Sequence, residues 1–517
     1  MKIHRILSAC AVSVCLCGLL SGMSTVRAAG SMTDCTVTAV QAKAPKGTTI
    51  TAAEVVPAAE KVPQYCKVDG HVAVPGNEVN FRLGLPTSWN GKYYFVGVGG
   101  LGGSIGNLNA GLTHGYASAS TDTGHESSDP NWGASRAKEI DYGHRGTHVT
   151  AIAGKELTKA FFGKTPDHSY FQGCSNGGRQ ALMEVQRYPA DFDGIIAGDP
   201  ATGTPMQVGR ALVFQHMLLH PENYLPAAKV EVLAKATLAE CDAKDGLTDG
   251  LITDPRLCSF KPETLKCANG DAPDCLTAAQ VETVRKIYSP VKTADGKIYT
   301  QGFPVGHEGG ATGWLAWTIG RTPPAPQADG TLAFGSQGPS GWSLSESNMR
   351  FLATENDDAS FNWRTLKFPQ DLPRLASMTE ILSPHDADLR PYKKRGSKII
   401  MYHGWADPAI SALGTVAYYE QMTKIVGGQK EADEFSRLYL VPGMHHCAGG
   451  PGPNTFDMLT TLENWVEKGV APASVMASHA TDGKVDRTRP LCPHPQVAKY
   501  SGSGSIDDAA SFRCAAN

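Results

Sequence analysis

The sequence predicts an α/β fold, a mostly parallel sheet covered by helices and interrupted by one large insertion. Three observations carry this. From Val72 to about Gly203, short apolar stretches alternate with helical patterns. After about Arg390 the alternation resumes. Between them, roughly Thr204 to His385, it lapses into a segment with four cysteines, several tryptophans, "RTPPAP" and "GSQGPSG". Alternating strands and helices are what parallel strands joined by crossover helices require.

In chain order, residues 1–29 read as a secretory signal. Lys2 and Arg5 supply positive charge, "ILSACAVSVCLCGLL" is a short apolar run, and "VRAAG" offers small residues for cleavage near Ala28 or Ala29. "LSAC" mimics a lipoprotein cleavage box, but almost no apolar core precedes it. No later segment reaches the ~20 apolar residues of a membrane span, so the mature protein is expected to be exported and free of the membrane.

"VNFRLGLP" and "GKYYFVGVGG" read as strands ending in turns, and "HVTAIAGKELTKAFFG" as an amphipathic helix. "HSYFQG" is a strand. The helix "NGGRQALMEVQRYP" follows, with Ala181, Leu182, Val185 and Tyr188 on one face and Pro189 at its end. "FDGIIAGDP" is the next strand. Beyond the insertion come the strand "GSKIIMYHG", the helix "ALGTVAYYEQMTKIVG", the strand "FSRLYLVPG" and the helix "FDMLTTLENWVEKG". The expected domains are therefore an α/β unit of residues 30–203 and 386–517, and a cap of residues 204–385.

The chain has 517 residues, enough for about two to four domains or one elaborated one. A net charge of -3 makes no electrostatic case for nucleic acid or an anionic membrane as a partner. Of 13 cysteines, Cys10, Cys15 and Cys17 lie in the signal and ten remain. An even count in an exported chain suggests disulfides. Zinc competes, but the mature cysteines form no CxxC pair. Proximity suggests Cys35–Cys66, Cys241–Cys258, Cys267–Cys275 and Cys492–Cys514, which leaves Cys174 to Cys447.

"FQGCSNGGRQ" places Ser175 in Gly-x-Ser-x-Gly between a strand and a helix, the pattern of a nucleophile elbow. An incidental serine in a glycine-rich turn is the alternative. A nucleophilic serine needs a base, and the base an orienting carboxylate. In folds built this way they follow in the order serine, acid, histidine, each at a strand end. "KIIMYHGWADP" puts Asp407 after one apolar strand, and "RLYLVPGMHHC" puts His445 and His446 after another. Asp407 alone reads equally as a turn before Pro408, and either histidine as a surface residue. Their joint order favours a triad. A Cys174–Cys447 bridge would set Ser175 beside His446 and so favours His446 over His445.

"GCSNGGRQALMEVQRYP", "YHGWADP" and "LVPGMHHCAGGPG" together resemble the tannase and bacterial feruloyl esterase family over nearly the whole mature chain. The resemblance implies an α/β-hydrolase fold with a large lid between the nucleophile and acid strands, and a disulfide pattern like the five pairs above. It implies Ser175 as nucleophile, His446 as general base, Asp407 as its orienter, and the amides of Gly100 and Asn176 as oxyanion hole. The glycine loop around Gly100, "GVGGLGGSIG", does not fit a dinucleotide fingerprint.

"CDAKDGLTDGLI" crowds Asp242, Asp245 and Asp249 into eight residues, an acidic turn or a hard-oxygen Ca²⁺ site. The resemblance implies calcium, with carbonyls from Leu247 and Leu251, in a structural role. It further implies that Trp317 packs on the substrate ring and that Ile410 walls the pocket, while Trp314 is core. Terephthalate-ester hydrolases of the family hold a free carboxylate with a lid arginine. The matching stretch "GSQGPSGWSLSESNMR" has none before Arg350, so a neutral aromatic ester is the expected substrate. The implied activity is that of a feruloyl-esterase-like serine carboxylesterase. Tannase or mono(2-hydroxyethyl) terephthalate hydrolase activity is the alternative. A non-catalytic binding protein, a serine peptidase and a lipase fit less well.

Overall fold

A computed structural model describes residues 31–355, 358 and 360–516. The expected signal, with its three cysteines, lies outside the described residues. One nine-stranded sheet organises the chain. Its strands are β1 (Thr48–Val56), β2 (Tyr65–Val74), β3 (Asn77–Pro86), β4 (Lys92–Val96), β5 (Ala117–Thr121), β6 (His168–Cys174), β7 (Gly194–Gly198), β8 (Lys398–Gly404) and β9 (Ser436–Val441). They lie in the order β1-β2-β3-β5-β4-β6-β7-β8-β9. The run from β5 to β9 is parallel, and β1, β2, β3 and β5 pair antiparallel.

Period-two alternation sends each strand's side chains to two cores. Phe95, Phe171, Ile195 and Met401 face one side, where they meet Leu157 and Phe161 of helix α1 (Gly146–Phe162), Leu182 and Val185 of helix α2 (Asn176–Arg187), and Tyr419. Tyr94, Tyr170, Ile196 and Ile400 face the other, where they meet Leu462 and Trp465. Full burial of each such apolar side chain contributes about 1.5–3 kcal/mol. Pairing Cys174 with Gly198 and Gly404 with Val441 brings the C-terminal ends of β6 to β9 to one edge of the sheet. Ser175, Asp407 and His446 are attached there.

Between Thr204 and Leu382 the chain adds no strand to this sheet. It forms α3 (Thr204–Leu219), α4 (Ala227–Cys241), α5 (Ala278–Tyr288), α6 (Ser340–Phe351) and α7 (Leu372–Leu382). They close on their own core around Phe214, Leu233, Trp314, Trp342 and Trp363. A separate core is why this segment behaves as a cap. The chain then returns through β8, α8 (Ala412–Val426), β9 and α9 (Met458–Lys468), and ends in small antiparallel sheets.

Five disulfides join the ten cysteines of the described residues in the expected pairs. The antiparallel edge was not expected. β1, "TTITAAEVV", is thinly apolar and leaves Val55 exposed, so its position rests on backbone pairing with β2 and on Ile50, buried in the core. Among the described residues no helix is long and apolar enough to cross a membrane.

Candidate active site

Ser175 stands between β6 and α2 with φ +64°. That is a left-handed conformation, uncommon for a residue with a side chain. The turn holds because Ser175 N–H donates to Gly198 O at 3.0 Å and Ser175 O accepts from Arg179 N–H at 3.0 Å. The flanking glycines are required sterically. A Cβ on Gly173 would come within 2.5 Å of the Gly177 carbonyl, and one on Gly177 within 3.3 Å of the Gly97 carbonyl carbon.

Asp407 lies in the loop after β8 and His446 in the loop after β9. Ser175 Oγ is 2.9 Å from His446 Nε2, and His446 Nδ1 is 2.8 Å from Asp407 Oδ2. Asp407 Oδ1 accepts from Ala409 N–H at 2.7 Å and Ile410 N–H at 2.9 Å. Burial would raise the Asp407 carboxyl, but the charge of His446 and hydrogen bonds from His403 and His446 hold it well below the usual carboxylate range. Burial would lower the His446 imidazole. Asp407, by charge and hydrogen bond, with Asp199 adding to it, raises it above the usual histidine value. His445 has a different environment. It pairs with Thr312 Oγ1 at 2.6 Å, and burial lowers its pKa to about 4.

Cys174 and Cys447 flank Ser175 and His446 and are bridged with their Cα atoms 6.0 Å apart. Asn176 is the first residue of α2, where an N–H has no acceptor inside the helix. Its side chain donates to Val98 O at 3.0 Å, and Gln180 Oε1 accepts from Val98 N–H at 2.9 Å. These two bonds seat the glycine loop against the elbow. Gly100, at φ +60°, has no atom within 4 Å of the place a Cβ would take. Both Gly100 and Asn176 line the same cavity as Ser175 and His446, a space of about 510 Å³.

Trp317 and Ile410 wall that cavity, with the Trp317 ring edge-on to His446 at 4.9 Å between centroids. Trp314 is fully buried in the cap core. Beyond a wall of Met206, Arg210, Trp317 and Ile410 lies a second chamber of about 710 Å³. Arg210, on α3, faces both chambers. Its guanidinium donates to Ala409 O at 2.6 Å. Burial lowers its pKa to about 10, so it remains a cation at neutral pH. Neither chamber is lined by an aspartate or glutamate.

The acidic loop is far simpler. Asp242 accepts from Asp249 N–H and Gly250 N–H at 3.2 and 3.0 Å, and Asp245 from Leu247 N–H and Thr253 N–H at 3.0 Å each. Asp249 accepts from Leu251 N–H at 3.1 Å and pairs with buried Arg489 at 2.9 Å. Burial raises the Asp245 carboxyl, with Asp249 adding to it. Carboxylates are the hard-oxygen donor type that Ca²⁺ takes, but these three accept backbone N–H bonds without converging to within 4.8 Å of one another, and Arg489 already occupies one oxygen of Asp249.

With this geometry in hand, comparison with known proteins is informative. A family model described as "Tannase and feruloyl esterase" matches residues 66–515. The chain belongs to the tannase and feruloyl esterase family. Within the family it is 34% identical to the mono(2-hydroxyethyl) terephthalate hydrolase of Piscinibacter sakaiensis, over 90% of this chain and 87% of that protein. It is 33% identical to a probable feruloyl esterase of Arthroderma benhamiae, over 84% and 82%. The solved feruloyl esterase B from Aspergillus oryzae superposes with a TM-score of 0.83 at 25% identity, covering 94% of this chain and all of that one. The tannin acyl hydrolase from Aspergillus niger shares the fold, with a TM-score of 0.73 at 22% identity and coverage of 94% and 96%. The tannase and feruloyl esterase fold is thus an α/β-hydrolase-like sheet carrying a helical cap, as expected.

Sequence reasoning missed two functional neighbours. Asp199 stands beside His446 and ends an apolar strand before Pro200, the same setting as Asp407 before Pro408. That repetition was a usable signal. Arg210 is one of several polar residues on a cap helix, and only tertiary packing distinguishes it.

Proposed function

We propose that this family esterase is an exported serine carboxylesterase acting on esters of aromatic acids through an acyl-enzyme. The observation that carries the reading is the continuous chain Ser175 Oγ–His446 Nε2 and His446 Nδ1–Asp407 Oδ2 at 2.9 and 2.8 Å. As Ser175 Oγ attacks the ester carbonyl, His446 Nε2 takes its proton. The amides of Gly100 and Asn176 receive the oxyanion. His446 returns the proton to the departing alcohol. Water, deprotonated by His446, then releases the aromatic acid and restores Ser175. Trp317 supplies the flat apolar wall for the ring. Asp407 orients the imidazole and stabilises its charged form.

Ser175→Ala is expected to remove nearly all turnover of a p-nitrophenyl ester while leaving the far-UV circular dichroism unchanged. Hydrolysis by that variant at the wild-type rate would falsify the assignment. Methyl ferulate, methyl gallate and hydroxyethyl terephthalate then separate feruloyl esterase, tannase and terephthalate-monoester activities. A second reading is favoured by Arg210. The sequence offered no cation for a charged acyl group, but a guanidinium lining an acid-free pocket favours an acyl group that carries its own carboxylate. We also propose that Asp242, Asp245 and Asp249, with the carbonyls of Leu247 and Leu251, hold a Ca²⁺ ion that fixes the shape of the cap and takes no part in the chemistry. Export is supported by the five disulfides, which suit an oxidising compartment.

A further inference from the structure

The proton path above leaves one carboxylate unused. Asp199 follows the last residue of β7, has no exposed surface, and adopts φ +37°. Its Oδ1 accepts from Gly404 N–H at 3.1 Å and its Oδ2 from Cys447 N–H at 2.5 Å. Gly404 ends β8, three residues before Asp407. Cys447 follows His446 and is itself at φ +63°. One carboxylate therefore grips the backbone of both the acid loop and the base loop. The same Oδ2 lies 4.0 Å from His446 Nδ1, the nitrogen that Asp407 holds at 2.8 Å.

The surroundings are buried and closely paired. His403, fully buried, sits 3.3 Å from Asp407 Oδ2 and hydrogen-bonds Thr415 Oγ1 at 2.7 Å. Asp199, Asp407 and His403 are thus buried together, with His446 nearly so. The charged groups acting on His446 are Asp407 and Asp199, which favour its cation, and Arg210, which opposes it. In such a medium a charge 4.0 Å away is felt strongly even without a hydrogen bond.

We propose that Asp199 is a positioning residue for His446. Its carboxylate fixes the base loop through Cys447 N–H and adds a second negative charge beside the imidazolium formed when the Ser175 proton reaches Nε2. This rests on the Ser175–His446–Asp407 reading of the site. Asp199 also accounts for the close seating of the Cys174–Cys447 bridge, since the bridge alone leaves the Cys447 backbone free to rotate.

The test uses the purified mature enzyme and a p-nitrophenyl ester. Asp199→Asn keeps the size and one acceptor oxygen and removes the charge. It is expected to lower kcat by about tenfold or more with KM within about twofold. The acid limb of kcat/KM should move to lower pH, because losing a nearby anion lowers the imidazolium pKa. Asp407→Ala leaves Asp199 as the one carboxylate beside His446. It is expected to stay at least about tenfold more active than His446→Ala, and adding Asp199→Asn should remove that excess. Wild-type kcat with an unmoved acid limb in Asp199→Asn overturns the proposal. So does an Asp407→Ala enzyme no more active than His446→Ala, an arm that needs no Asp199 variant to fold. A Ser175→Ala enzyme that still turns over would sink the serine-esterase reading instead, whatever Asp199 does.

Discussion

Arg210 carries the sharpest residue-scale question about substrate. A guanidinium half-buried between two chambers and bonded to the Ala409 carbonyl is poised for a planar anion, because its fork matches a carboxylate. Methyl 4-carboxybenzoate and methyl 4-carbamoylbenzoate differ by that charge alone. The charged ester should have the higher kcat/KM, and Arg210→Gln should lower the ratio of the two by about tenfold, the scale of one charge-assisted hydrogen bond. An unchanged ratio would return the neutral aryl ester to first place. His446 supports a second prediction. It acts as a base only when neutral, and its pKa is raised above the ordinary histidine value. Activity should therefore fall as pH drops through a midpoint above the ordinary one, as a kcat/KM profile will read directly. The triad residues were legible because each follows an apolar strand in a fixed order. Arg210 and Asp199 were not read, because what matters about them is what lies across space.

At the scale of elements, the strands and helices that place the site were the readable ones. β6 to β8 lie inside the sheet and are largely buried, with apolar runs such as Tyr170–Phe171, Ile195–Ile196 and Ile399–Met401, while β1 is an edge strand and β2 beside it has mixed composition. The elbow and the base loop are separate elements, and the Cys174–Cys447 bridge and Asp199 are what register one against the other. Removing the bridge with Cys174→Ala and Cys447→Ala should reduce kcat at 25 °C by about tenfold or more, the size of effect a small misplacement of reacting groups produces. The far-UV spectrum should stay native, since β6, which bears Cys174, and β9, which precedes the Cys447 loop, are held by the sheet. Equal activity in the double variant would show that the sheet alone sets the geometry.

On the scale of the whole molecule, the cap and the sheet domain have separate main cores joined by many contacts, among them Trp132 and Tyr142 packed with Met378 and Leu382, and hydrogen bonds from Arg210 to Ala409 O and from Ser411 to Gly302 O. Asp249 to Arg489 is one such tie, linking the acidic loop of the cap to the C-terminal antiparallel sheet. If Ca²⁺ binds this loop, adding EGTA should lower the melting temperature by several degrees, since ligand bound only to the native state stabilises it by mass action. Asp245→Asn should abolish the response to chelator. A melting curve indifferent to EGTA in a metal-loaded sample would assign the loop to hydrogen bonding alone. The existence of a cap was visible in the sequence as a lapse in alternation. Its internal arrangement was not, because its order comes from aromatic residues far apart in the chain, such as Phe214 and Trp342, meeting in space rather than from any local period.

The Cys174–Cys447 bridge has a topological meaning as well. Residues 174 to 447 become a closed covalent ring that begins and ends beside Ser175 and His446, with the entire cap within it. A protease that nicks one exposed cap loop opens that ring without releasing a piece of chain. The cut enzyme should run as one band until reduced and as two afterwards. Ser175 and His446, riveted at the clasp, would keep their spacing while the cap above them loosens.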